Sequence, residues 1–241
     1  MLRPVTRVLL AWAVHLITAS GAVLGVLALL AVAQGEFPRA AILMLAALAI
    51  DSIDGTLARL FKVAEVLPDF DGRRLDDLVD YLNYVIVPAV FMVASGALPG
   101  WGWAALPVLA SAYGFSQREA KTDDHFFLGF PSYWNVVAIY LWQLELSPAL
   151  SVALVVALSL GVFVPLKYVY PSRMRTLRLT TNVGATVWLL AISAAIVWPD
   201  LLKGIRLIEL TLLYPVYYMA ISMWLGGWHR SRLGKSPREA P

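Results

Sequence analysis

The chain of 241 residues is 60% hydrophobic and only 15% charged, with a formal net charge of +3. A water-soluble globular domain is about half apolar and a quarter charged, so this composition excludes one and requires surface in contact with lipid. There is no cysteine, which excludes disulfides and thiol chemistry.

A helix needs about 20 mainly apolar residues to cross the hydrocarbon core. In chain order, apolar stretches of that kind fall at 8–33, 38–62, 75–98, 101–118, 131–147, 149–168, 179–198 and 204–227. They predict an all-α, polytopic integral membrane protein with about eight transmembrane helices. Arg3 and Arg7 precede the first stretch, as they would in a signal peptide, but the apolar run continues to Ala33 and reads as a retained helix. The stretch at 131–147 is the shortest and is polar at its start. Turn residues at Gly35–Pro38, Pro99-Gly100, Ser147-Pro148 and Pro199-Asp200 predict tight turns on one side. The connections at 63–74, 118–130 and 168–178 are longer and polar, which suits them to carry chemistry.

Positive residues set the orientation. With eight spans and the N-terminus inside, sixteen Lys and Arg lie in cytoplasmic segments and three (Arg39, Lys203 and Arg206) lie outside. That asymmetry predicts cytoplasmic N- and C-termini. Basic loops beside anionic headgroups account for a sequence pI of about 9.2 without a nucleic-acid partner. Residues 1–228 read as a single membrane domain and 229–241 as a disordered, basic cytoplasmic tail. Most aromatic residues, Trp101, Trp103, Trp198 and Trp228 among them, read as an interfacial belt, and His15 as a packed polar residue.

Four aspartates break this pattern. Asp51 and Asp54 interrupt the second apolar stretch, and Asp76 and Asp80 open the third. A carboxylate at mid-helix costs about 2.5–3.5 kcal/mol, so four unpaired ones would cost on the order of 10 kcal/mol. One nearby Arg59 cannot neutralise them, whereas divalent cations can. The i,i+3 and i,i+4 spacings put each pair on one helix face. With no His or Cys nearby, the set suits Mg²⁺ or Mn²⁺ better than Zn²⁺. Gly55, Ala58 and Gly72 leave the backbone open to a bulky ligand. Arg59 offers a fixed positive charge for a phosphate oxygen. Asp69, Asp71 and Asp77 read as solvated loop or helix-start residues.

From Asp51 to Asp80 the pattern is Asp-x2-Asp-Gly-x2-Ala-Arg-x12-Gly-x3-Asp-x3-Asp. It resembles the signature of the CDP-alcohol phosphatidyltransferases, polytopic enzymes of phospholipid synthesis. The long gap from Leu60 to Asp71 and the segment Phe126 to Asn135 are similar to the bacterial, phosphatidylcholine-forming branch of that family. The resemblance implies condensation of CDP-diacylglycerol with choline to give phosphatidylcholine and CMP, at the bacterial inner membrane with the site facing the cytoplasm. It implies two Mn²⁺ or Mg²⁺ ions held by Asp51, Asp54, Asp76 and Asp80, with Asp80 also the general base. It implies CDP-diacylglycerol bound at Gly55, Ala58, Arg59 and Gly72, and a homodimer.

A quaternary ammonium donates no hydrogen bonds and is recognised by aromatic faces. Tyr81, Tyr84, Tyr113, Tyr133 and Trp134 are candidates for this role, with Glu119 as counter-charge. The same family also includes enzymes using serine, glycerol phosphate or inositol phosphate, which Lys121, Arg173 and Arg175 would suit. A membrane transporter is the reading from another class, but transporters repeat their charged or broken helices in both halves. Here the buried acids sit in one hairpin.

Overall fold

The computed structural model describes residues 4–117 and 120–228; Glu119 and the expected tail lie outside the described residues. Each of the eight apolar stretches folds around a helix. These are α1 (Pro4–Ala33), α2 (Phe37–Leu60), α3 (Gly72–Ala94), α4 (Trp101–Ser116), α5 (Trp134–Gln143), α6 (Pro148–Gly161), α7 (Arg178–Val197) and α8 (Leu207–Leu225). The fold is an all-α membrane protein, and α1, α2, α3, α7 and α8 are each long and apolar enough to cross a membrane.

The remaining three helices are shorter than the sequence predicts, for local reasons. α5 has 10 residues and reaches about 15 Å, half the hydrocarbon thickness. Pro131 and the left-handed Ser132 (φ 57°) delay its start, and the left-handed Glu145 (φ 46°) follows its end. α6 stops at Gly161, because Pro165 supplies no N–H to continue the ladder.

The chain beyond Pro165 forms a strand where a helix was expected. Strands β1 (Phe126–Leu128), β2 (Leu166–Val169) and β3 (Gly227–Trp228) make a small antiparallel sheet in that order. Phe127 lies opposite Tyr168, and Lys167 lies opposite Gly227. Gly129 (φ +79°) ends β1 against the Val162 carbonyl, where a Cβ would collide with that oxygen. Each strand follows an even-numbered helix, so the sheet gathers the ends of α4, α6 and α8 at one end of the bundle. Lys121, before β1, reaches Asp76 near the start of α3. The α2–α3 connection therefore lies at that same end.

The core is apolar and tightly filled, with Phe91, Met44, Met92, Trp134, Ile139 and Ile192 fully buried. One buried polar chain ties three helices together: Trp188 Nε1 donates to Tyr140 Oη at 2.8 Å, and Tyr140 Oη donates to Thr211 Oγ1 at 2.9 Å. The outward faces are apolar too, with Leu16, Leu30, Leu179 and Leu190 exposed. Such a surface suits lipid as its solvent.

Candidate active site

α2 carries its two aspartates in the half nearest the sheet. Asp54 is buried, and its Oδ2 accepts a hydrogen bond from Thr18 Oγ1 of α1 at 2.7 Å. The chain leaves α2 through Lys62 (φ 53°), makes a short helix at Val63–Val66 and returns at Asp71. The Asp71 carboxylate caps α3 by accepting from the Arg74 N–H at 3.1 Å. In the long gap, Val63 packs with Ala11 and Val14 of α1. Phe70 packs on His15 with ring centroids 4.4 Å apart. The gap is thus a structured cap over the start of α1.

Asp76 and Asp80, one turn apart on α3, face Asp51 of α2. One carboxylate oxygen from each of the three lies within 4.8 Å of the others. Oxygens on opposite sides of an Mg²⁺ ion are about 4.2 Å apart, twice its usual bond length. A cluster made only of carboxylates, at this spacing, fits a divalent cation held by oxygen. Asp54 is outside this group of three, although it lines the same small cavity as Asp51, Asp80 and Thr18.

The centre of α3 is not regular. Leu82–Ile86 forms a π-helical turn, and the Val87 N–H bonds to the Leu82 carbonyl five residues back. Pro88 lies just beyond it and has no N–H to offer Tyr84. Within this turn Tyr84 is buried, and its hydroxyl donates to Asp51 Oδ2 at 2.6 Å. Wide turns of this kind re-aim side chains and are frequent at functional sites. The Tyr84 ring continues an aromatic run, 5.8 Å from Tyr133, which in turn lies 5.8 Å from Tyr218 of α8.

Lys121 enters from the loop before β1, with Nζ 3.9 Å from Asp76 Oδ2 and 4.0 Å from Asp77 Oδ1. Burial opposes its charged form, but Tyr170, Asp76, Asp77 and Asp80 outweigh that and hold the ammonium above its ordinary value. It is therefore a full positive charge beside the cluster at neutral pH.

The other expected site residues divide into two groups. Gly55 and Ala58 are partly open, and the exposed Arg59 guanidinium donates to Thr56 Oγ1 at 2.9 Å. A Cβ on Gly72 would sit 2.7 Å from His15 Cε1, so that glycine makes room for the His15 ring. Tyr81 points away, its hydroxyl donating to the Val108 carbonyl at 3.0 Å and its ring packing on Phe115. Tyr113 stacks on Phe163 at 4.8 Å and lines a different cavity, with Gln117 and Leu128. Trp134 is fully buried, and its Nε1 donates to Ser111 Oγ at 2.8 Å. Of the aromatic candidates, Tyr84 and Tyr133 stand together at the aspartates, and Tyr81, Tyr113 and Trp134 do not. The sequence reading missed Thr18 and Tyr218. A hydroxyl inside the apolar α1 was a signal for the first, whereas only tertiary packing reveals the second.

No protein-family model matches the chain. It is 38% identical over 214 residues to a phosphatidylcholine synthase of Legionella bozemanae, covering 84% of this chain and 98% of that protein. It is 39% identical over 219 residues to one of Pseudomonas aeruginosa, covering 89% and 91%. The chain belongs to the phosphatidylcholine synthase family. A further phosphatidylcholine synthase, of Legionella pneumophila, is 45% identical over 168 residues, which cover 68% of this chain and 66% of that one. Membership of the phosphatidylcholine synthase family agrees with the CDP-alcohol phosphatidyltransferase signature between Asp51 and Asp80.

Proposed function

We infer that the protein is a phosphatidyltransferase that condenses CDP-diacylglycerol with choline to give phosphatidylcholine and CMP. The observation that carries this reading is the convergence of Asp51, Asp76 and Asp80 in a chain of this family. The choline hydroxyl oxygen attacks the phosphorus that bears the diacylglycerol. The bond from that phosphorus to the CMP oxygen breaks, and CMP leaves with the electron pair. The hydroxyl proton passes to the Asp80 carboxylate, which needs only to be within hydrogen-bond reach as attack proceeds.

Asp51, Asp54, Asp76 and Asp80 hold two Mn²⁺ or Mg²⁺ ions, which when bound supply charge stabilisation at the phosphate oxygens. Gly55 and Ala58 leave room for the cytidine diphosphate, and Arg59 meets one of its oxygens. Tyr84 and Tyr133 offer aromatic faces for the quaternary ammonium, each worth up to about 2 kcal/mol when desolvated. The protein works as a homodimer in the bacterial inner membrane, with the aspartates open to the cytoplasm and the acyl chains reaching them from the bilayer.

The deciding experiment offers purified protein and CDP-diacylglycerol a panel of labelled alcohols. Choline is expected to be incorporated, EDTA to stop the reaction, and Mn²⁺ or Mg²⁺ to restore it. Incorporation of serine, glycerol phosphate or inositol phosphate with choline ignored would keep the family and overturn the substrate.

A further inference from the structure

α3 presents two stripes, one residue out of step. Asp80 and Tyr84 face Asp51 on α2, while Val79 and Asn83 face α1. The α1 surface they meet is Gly21-x3-Gly25, and its bare backbone permits close approach. A Cβ on Gly21 would lie 2.9 Å from Val79 Cγ1, and one on Gly25 would lie 2.7 Å from Asn83 Oδ1. Asn83 is buried, and its Nδ2 donates to the Gly21 carbonyl at 2.9 Å and to the Val79 carbonyl at 3.1 Å. Among the described residues its Oδ1 has no hydrogen-bond partner, and it rests against Gly25.

We propose that Asn83, seated in the Gly21–Gly25 notch, is the positioning residue that sets the rotation of α3 and so aims Asp80 and Tyr84 at Asp51. A π-helical turn departs from the regular four-residue hydrogen-bond ladder and re-aims the side chains around it. Asn83 lies inside that turn, next to Tyr84 and three residues from Asp80. The amide bond to the Gly21 carbonyl fixes the turn to a neighbouring helix, and the two glycines fix how closely it seats. A hydrocarbon of the same size would fill the notch without selecting one rotation.

The inference rests on the aspartates being the metal and catalytic site, so wild-type choline transfer is measured beside every variant. Absence of wild-type transfer would overturn the choline reading alone, and the Mn²⁺ measurement would still test the proposal. With an active wild type, Asn83→Leu is expected to lower kcat at least 10-fold and to raise the KM for choline, because Tyr84 turns together with Asp80. Mn²⁺ affinity, read by electron paramagnetic resonance without substrate, should fall at least 10-fold. A purely structural role would lower Tm and leave the kcat and Mn²⁺ affinity of the folded fraction unchanged, overturning the proposal. A second pair keeps the test independent of folding. Gly25→Ala should impair Mn²⁺ binding in the wild-type background and much less in Asn83→Ala, where its nearest contact is gone and only Leu82, at 3.0 and 3.2 Å, is left to yield. Additive losses in that pair would overturn the proposal.

Discussion

Asp51 is where the two halves of the site meet, joined by distance to Asp76 and Asp80 and by a 2.6 Å hydrogen bond to Tyr84. Asp51→Asn, Asp76→Asn and Asp80→Asn keep shape and remove charge. Each is expected to lower transfer by at least 100-fold while the protein still inserts, as checked by membrane-fraction immunoblot and a choline-transfer assay. Full activity in any of the three would refute the assignment. Tyr84→Phe removes only the hydroxyl. A bond that orients a ligating carboxylate is worth about 10–100-fold in metal affinity, so Mn²⁺ titration should show weakening of that order. The aspartates were legible in the sequence because a carboxylate within an apolar stretch has a cost that something must offset. Tyr84 was one of several aromatics there. What separates it from Tyr81 is helix rotation through the π turn, and no residue pattern encodes that rotation visibly.

Helices and sheet differ in how plainly the sequence announces them. Long apolar runs gave the positions of α1, α2, α7 and α8, because lipid leaves the backbone no other partner. The sheet was hidden. Its strands hold four residues or fewer, and β2 lies inside what reads as the end of a span. Lys167 of the central strand β2 ties down the loop before β1, its Nζ lying 2.6 Å from Asp124 Oδ2. Burial tends to raise the Asp124 carboxyl, but the Lys167 and Thr122 hydrogen bonds outweigh it and hold it below the ordinary range. A lowered value means the stabilisation is present above the unfolded pKa and is lost as pH falls through the folded one. Asp124 is mostly exposed, so screening limits the pair to about 0–1 kcal/mol. Asp124→Asn should therefore lower Tm slightly in detergent at neutral pH. The gap from wild type should close as the pH drops below the carboxylate range, and a gap that persists in acid would refute the ion-pair account.

At the scale of the whole molecule, the sheet and the aspartates share one end of the bundle, and we propose from the distribution of positive residues that this end faces the cytoplasm. The absence of cysteine makes this testable with single, unambiguous labels. Thr176→Cys, between β2 and α7, is expected to react with an impermeant maleimide in inverted vesicles and not in intact spheroplasts. Glu36→Cys, between α1 and α2, should show the opposite pattern, and exchange of the two would reverse the orientation. Ser147→Cys separates two architectures that share this end. α5 and α6 have 10 and 14 residues, about 15 and 21 Å of helix against a hydrocarbon core of about 30 Å. If this hairpin completes eight spans, its turn must emerge with Glu36, aided by bilayer thinning at the short helices. Labelling of Ser147→Cys from the outside is the expected result, since Glu145 sits beside it and an ionised carboxylate left in hydrocarbon is costly. Protection from both sides would make α5 and α6 a re-entrant pair, with the bundle crossing the membrane six times.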